Sequence, residues 1–206
     1  MRWLCGRTVG VALLAAIAAG CGSTSGDDAL VLEFVRFDNS GITQTDSVRE
    51  NSADVDVLQD SCKSGTTITA EPFTVTTINA VFRNNEAAKL RVQQVAIAVG
   101  SFAPITHQLD GDLPGGRCSN IDQQCSADAD CISASSTTSG SCQHTETTIT
   151  GILLFDFSDK QRFLFQPGTY NVTITFFASD LVHTFQTSTT YTVTFDDFDN
   201  CATTGG

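Results

Sequence analysis

Beyond residue 29 the chain alternates β-branched or aromatic side chains with Thr, Ser and Asn, and this period-two pattern is the signature of strands with one buried face. The clearest example puts Tyr170, Val172, Ile174 and Phe176 on one face and Asn171, Thr173 and Thr175 on the other. A second puts Tyr191, Val193 and Phe195 against Thr190, Thr192 and Thr194. Further strands are predicted over residues 30–37, 73–82, 90–99, 105–109, 147–157 and 183–187, and helical periodicity is nearly absent. Seven or eight such strands, wet on one side and apolar on the other, predict an all-β, antiparallel β-sandwich.

The pattern changes at both ends of this region. Residues 110–146 carry no strand alternation and are too long for an ordinary loop of a compact domain, so they are expected to form an insertion. Its four cysteines, Cys118, Cys125, Cys131 and Cys142, are expected to brace it as disulfides do in small modules that lack a core. At the start of the chain, Arg2 and Arg7 precede an apolar run over residues 9–19, which ends in small residues. These are the zones of a secretory signal. The run is short of the about 20 apolar residues that span a bilayer. Residues 22–28, GSTSGDD, have the composition of a flexible leash.

Ala18-Ala19-Gly20-Cys21 sits at the end of the apolar run and resembles the lipobox of bacterial lipoproteins. That resemblance implies cleavage after residue 20, lipidation of Cys21 and attachment to a membrane through lipid. A residue other than Asp after the cysteine, here Gly22, implies the outer membrane within the bacterial cell envelope. The organisation expected is a signal at 1–20, a tether at 21–28, one sandwich domain at 29–201 with the insertion at 110–146, and a disordered tail at 202–206.

Cleavage would leave 9 basic side chains against 23 acidic ones, a net charge of −14. Such a surface repels phosphate backbones, which argues against a nucleic-acid partner. It would also leave seven cysteines, and lipidation of Cys21 reduces these to an even six. Sequence alone leaves their pairing open. The simplest partition closes the cluster at residues 118–142 on itself and joins Cys62 to Cys201. A zinc or haem reading is disfavoured, since the cluster contains neither C-x-x-C nor C-x-x-C-H.

The segment Pro167-Gly168-Thr169-Tyr170-Asn171-Val172-Thr173 resembles the penultimate strand of immunoglobulin-like domains. The resemblance implies a tyrosine corner at Tyr170, whose hydroxyl bonds back to nearby backbone, and a core position at Val172. Val172 stands where antibody domains have cysteine, and no Trp follows Trp3. The likeness is therefore to the broader bacterial Ig-like class. The arrangement Cys118, Asp122, Cys125, Cys131, Gly140, Cys142 resembles Cys-rich inserts of bacterial envelope proteins, and a rigid loop on a sandwich is a natural interaction surface.

Candidate chemistry is sparse. His107, His144 and His183 lie in no G-x-S-x-G elbow or other catalytic context. The carboxylate groups Asp110/Asp112, Asp128/Asp130 and Asp196/Asp197/Asp199 are expected in loops or at strand ends, where alternate carboxylates suit Ca²⁺. The turn of Asp196, Asp197 and Asp199 is the first candidate, although no EF-hand pattern is completed. The expectation is a non-enzymatic, lipid-anchored envelope protein with no obligatory cofactor, acting through a protein or surface-polymer partner. A Ca²⁺-dependent or carbohydrate-binding module and a small envelope hydrolase are the alternatives.

Overall fold

A computed structural model of the chain describes residues 31–42, 44–64, 66–132 and 139–201. The expected signal, Cys21, the leash and the tail lie outside these residues. In chain order the elements are β1 (Leu32–Phe37), β2 (Ser47–Val48), β3 (Ser52–Asp56), β4 (Ser61–Ser64), β5 (Thr67–Ala70), β6 (Thr76–Asn84), β7 (Leu90–Val99) and β8 (Ile105–Leu113). There follow β9 (Gly116–Cys118), β10 (Gln124–Cys125), a 3₁₀ turn (Asp128–Cys131), β11 (Cys142–Gln143), β12 (Glu146–Phe155), α1 (Phe157–Gln161), β13 (Gly168–Ser179) and β14 (Thr184–Asp196). The chain is thus mostly β. No helix among the described residues is long and apolar enough to cross a membrane.

Two sheets build the body, one of three strands in the order β1-β6-β12 and one of six in the order β2-β3-β14-β13-β7-β8. Their inward side chains enter a single core. Leu32, Ile78, Phe82 and Leu154 come from the smaller sheet, and Val95, Ile97, Val172, Ile174, Phe176 and Val193 from the larger. Phe176 of β13 lies 6.1 Å from Phe34 of β1 and 4.8 Å from Phe82 of β6, ring centre to ring centre. Offset and edge-on aromatic packing of this kind adds to the burial term.

The alternating pattern produced its strands for the expected reason, since Tyr191, Val193 and Phe195 are buried while Thr190, Thr192 and Thr194 are exposed or half-buried on the other face. Several boundaries differ. The segments 183–187 and 191–195 form one continuous strand, β14, because Ser188 and Thr189 carry no turn signal and continue the ladder with β13. The strand expected at 73–82 begins only at Thr76, and the strand expected to end at 157 stops at Phe155, where Asp156 caps α1 by accepting the amide of Asp159 at 2.8 Å. Gly151, at a φ of 67°, sits in the irregular step of β12 between Ile149 and Ile152, a conformation that glycine adopts without steric cost.

Three expectations are corrected. The body is not wholly antiparallel, for β3 runs parallel to β14 from the pair Ser52/Thr192 to Asp56/Asp196. Fourteen strands, several of two to four residues, replace the expected seven or eight among the described residues. The insertion is not without strands: β9, β10 and β11 make a small sheet of their own. It also starts later than residue 110, because β8 continues to Leu113 through Gly111. A Cβ at Gly111 would run into the Ile149 side chain of β12, so only glycine lets these strands approach.

Strand directions give the body two distinct ends. The start of β1, the end of β6, the start of β7, the end of β8 and the β13–β14 turn lie at one end, with the insertion beside them. There the Gly116 amide donates to Glu86 O at 2.9 Å and His144 Nδ1 lies 2.7 Å from Asn84 O. The opposite end carries the start of β6, the end of β12, α1, and the close of β3 and β14. We refer to these as the N-terminal and distal ends.

Candidate functional site

The distal end holds an open, largely apolar groove. α1 follows β12 with no intervening loop, because Asp156 turns the chain by capping α1. The amide it accepts from Asp159 is also what holds its own carboxyl below the usual range. This places Phe157 and Gln161 on one wall, and the following turn adds Leu164 and Phe165. Phe163 of that turn is driven inward instead, stacked on Phe195 at 3.9 Å. Val57, Leu58 and Gln59 after β3, with Phe73 before β6, form the other wall of a groove of about 630 Å³. Phe73 stacks on Phe157 at 5.4 Å, while Phe165 stands 89 % exposed at the rim.

Beneath the groove lies a fully buried ion pair. Lys160 Nζ donates to Asp46 Oδ2 at 2.7 Å and to Thr74 O at 2.6 Å, and sits 4.6 Å from the centre of the Phe73 ring. Asp46 also accepts the Thr76 hydroxyl and, on Oδ1, the Asp56 amide at 3.0 Å. Every polar atom of the pair is matched, as burial demands. The pair fixes α1 against β3 and the start of β6, and therefore fixes both walls of the groove.

Next to it a polar cleft of about 250 Å³ is lined by Thr45, Asp46, Ser47, Arg49, Asp54, Asp56, Phe198, Asp199 and Asn200. Its carboxylates are tied to donors of the protein itself. Asp56 takes the Leu58 amide at 3.2 Å and Asn200 Nδ2 at 2.9 Å, and burial pushes its carboxyl up. Glu71, also buried, accepts the amides of Asp60 and Asn200. Of the three expected Ca²⁺ ligands, Asp199 lies beside Glu71 and Cys201, whereas Asp196 and Asp197 are not part of that group. Asp196 and Asp199 accept the amides of Asp197 and Cys201, each at 2.9 Å. Desolvation and the neighbouring acids Asp60 and Glu71 raise the Asp197 carboxyl.

The other carboxylates have structural partners too. Asp110 and Asp112 lie within β8 rather than in a loop, and pair with Arg91 at 2.8 Å and Lys89 at 2.6 Å across the sheet. Asp130 accepts the Ser126 and Ala127 amides, which hold its carboxyl low, and Asp128 accepts the Cys142 amide at 2.7 Å. The disulfides join Cys62 to Cys201, Cys118 to Cys131 and Cys125 to Cys142. The cluster thus closes on itself and the long bridge spans the domain. Tyr170 donates its hydroxyl to Gln166 O at 3.1 Å, four residues upstream, and Val172 is fully buried.

The three histidines do not converge. His107 Nε2 lies 3.2 Å from both Leu154 O and Asp159 Oδ2, His144 touches Asn84 O and the bonded Cys142 sulfur, and exposed His183 faces Asp180 at 3.3 Å. No Ser or Thr hydroxyl bonds any of these rings among the described residues.

The sequence pattern did not single out Phe73, Phe157, Phe165, Lys160 or Asp46. One usable signal was present: Asp156 followed three residues later by Asp159 has the spacing of a helix cap. Lys160, placed between aromatic residues in an acidic chain, carried no periodicity. Comparison with family models, with curated proteins and with solved structures found no match.

Proposed function

We propose that the chain is a non-enzymatic, lipid-anchored protein of the bacterial cell envelope, attached through Cys21 and favouring the outer membrane. In this reading its body is an Ig-like sandwich, and its distal groove meets a partner protein or surface polymer. The observation that carries the reading is the position of the exposed Phe165 and the half-exposed Phe157, which rim an apolar groove at the end away from the start of β1. Exposed aromatics over a buried, rigid support are the anchors that interfaces use.

The Ig-like assignment is supported by the Tyr170 hydroxyl bond to Gln166 O and by the shared core of the two sheets. The insertion becomes a brace at the N-terminal end, and the recognition role passes from it to the groove.

Two experiments test this reading. A Cys21→Ser chain should remain an unprocessed precursor; normal processing and membrane retention would sink the anchor. A photo-crosslinking residue at position 165 in the full chain, expressed in its own envelope, should trap one discrete partner that Phe157→Asp abolishes. Trapping that is indifferent to Phe157→Asp sinks the groove. The Ca²⁺ alternative rests on Asp54, Asp56 and Asp199 sharing one cleft. An unchanged melting midpoint in EDTA overturns it.

A further inference from the structure

The β13–β14 turn is the most exposed apolar feature of the described residues. Leu181 is 98 % exposed and Val182 80 %, at consecutive positions of a tight turn. Turn geometry does not explain them. Leu181 has a φ of 81°, a left-handed conformation for which Gly or Asn is the ordinary choice and in which a leucine is strained. Asp180 makes the turn rigid by accepting the amides of Val182 at 2.9 Å and His183 at 2.7 Å. The two aliphatic side chains are therefore held outward on a fixed support.

Their position relative to the chain's start gives them a neighbour. Phe34 of β1 stacks on Phe176 of β13 with 6.1 Å between ring centres. From that contact β1 runs back three residues to Val31 and β13 runs on three residues to Ser179, both toward the N-terminal end, each covering roughly 10 Å. The chain preceding Val31 therefore leaves the body level with the base of the turn that carries Leu181 and Val182. Ten residues separate Cys21 from Val31, a reach of at most about 35 Å. The groove end lies a further twelve strand residues away along β13, roughly 40 Å.

The local charge suits a lipid surface better than the net charge of the chain does. Leu181 shares a cleft with Lys89, Arg91, Asp110, Asp112 and Asp180, in which the two basic groups pair with Asp112 and Asp110 and the third acid, Asp180, is turned onto the amides of its own turn.

We propose that the Leu181–Val182 turn is a membrane-contacting tip, which dips into the lipid headgroup and upper acyl region beside the anchor and holds the body upright with the groove facing away. The inference rests on the lipid-anchor reading, and its partner is the bilayer itself rather than a second protein. Two apolar side chains alone bind a bilayer weakly, so the tip acts as an orienting foot for a chain already tethered.

The only Trp of the sequence, Trp3, lies ahead of Cys21 and leaves with the signal in this reading, so a Trp introduced into the body is the sole emitter. Full-length Leu181→Trp and Phe165→Trp chains, processed in cells and purified in detergent, are reconstituted into phosphatidylethanolamine–phosphatidylglycerol vesicles with brominated acyl chains. The Leu181→Trp protein should show blue-shifted emission and lose most of it to the bromines. The Phe165→Trp protein should float with the vesicles and keep its emission. Both substitutions are at exposed sites, and equal melting midpoints check that both variants fold. Flotation with an unquenched Leu181→Trp chain overturns the tip while leaving the anchor standing, and implies that the turn meets another protein. Equal quenching of both variants overturns the upright orientation. Failure of either variant to float overturns the anchor and the tip together.

Discussion

The Lys160–Asp46 pair shows how one buried residue can decide the shape of a surface. Both side chains are fully buried, and each charge is tolerable only because the other is there. Lys160→Met alone should destabilise the protein by about 3–5 kcal/mol, because Asp46 is left charged and uncompensated. The double variant Lys160→Met/Asp46→Leu should be less damaging than either single one. It will not restore the full stability, since the Asp56 amide and Thr76 hydroxyl lose their acceptor. Urea unfolding of the four proteins forms the cycle, and single variants within about 1 kcal/mol of the parent would refute the argument. Asp180 makes a second residue-scale case, with two amide bonds pulling its carboxyl down to about 2 from an ordinary 3.8. A depressed acid stabilises the fold above its unfolded value, and that contribution disappears as pH falls through the folded one. The amides of Val182 and His183 should thus lose protection from exchange between about pH 4 and pH 2. Protection unchanged across that window would show that the carboxylate does not hold the turn. Neither residue was legible from the sequence: the pattern of alternation registers which faces are apolar, and a lone Lys or a turn Asp leaves no periodic trace.

At the scale of elements, alternation located the long strands and missed the short ones. β7 follows the apolar run at 90–99, because both of its neighbours are long partners that extend the pleat over its full length. β3, with the sequence Ser52-Ala-Asp-Val-Asp56, alternates as well, yet its acidic residues disguise it, and nothing local reveals that it pairs parallel with a strand 140 positions later. The bridge from Cys62 to Cys201 closes the same separation covalently. At a sequence separation of 139, the loop-closure model gives it about 5 kcal/mol, against about 3 kcal/mol for each bridge of the insertion. Cys62→Ser with Cys201→Ser should therefore lower stability more than Cys118→Ser with Cys131→Ser, as read by chemical unfolding. The reverse order would mean that residual structure in the unfolded chain, rather than loop length, dominates. α1 obeys more local rules, and Asp156→Ala should destabilise by about 1 kcal/mol through loss of its cap.

At the scale of the whole molecule, the described residues form two cores of different kinds, and this sets how the protein opens. The main core gathers buried side chains from both large sheets, among them Phe82, Phe176, Tyr191 and Phe195. The insertion is organised instead around Cys118, Cys125 and Cys131, with Ile121 and Cys142 packed on them. Contacts between the two include the Gly116 to Glu86 hydrogen bond and the His144 contact with Asn84, both at the N-terminal end. A unit held mainly by its own crosslinks can open without disturbing its neighbour, since little apolar surface is shared. Amides of β7, β13 and β14 should accordingly exchange only through global unfolding, with a shared denaturant dependence. Amides of β9 and β11 should exchange sooner and with a shallower dependence, because their opening exposes little area. Mild reduction should widen the difference by releasing the insertion while the main transition keeps its midpoint, provided that the Cys62–Cys201 bridge is replaced by serines in the protein tested. Hydrogen exchange followed peptide by peptide reads both quantities. If the insertion amides instead share the slope and free energy of β13, the two cores unfold as one, and the insertion belongs to the body rather than resting on its end.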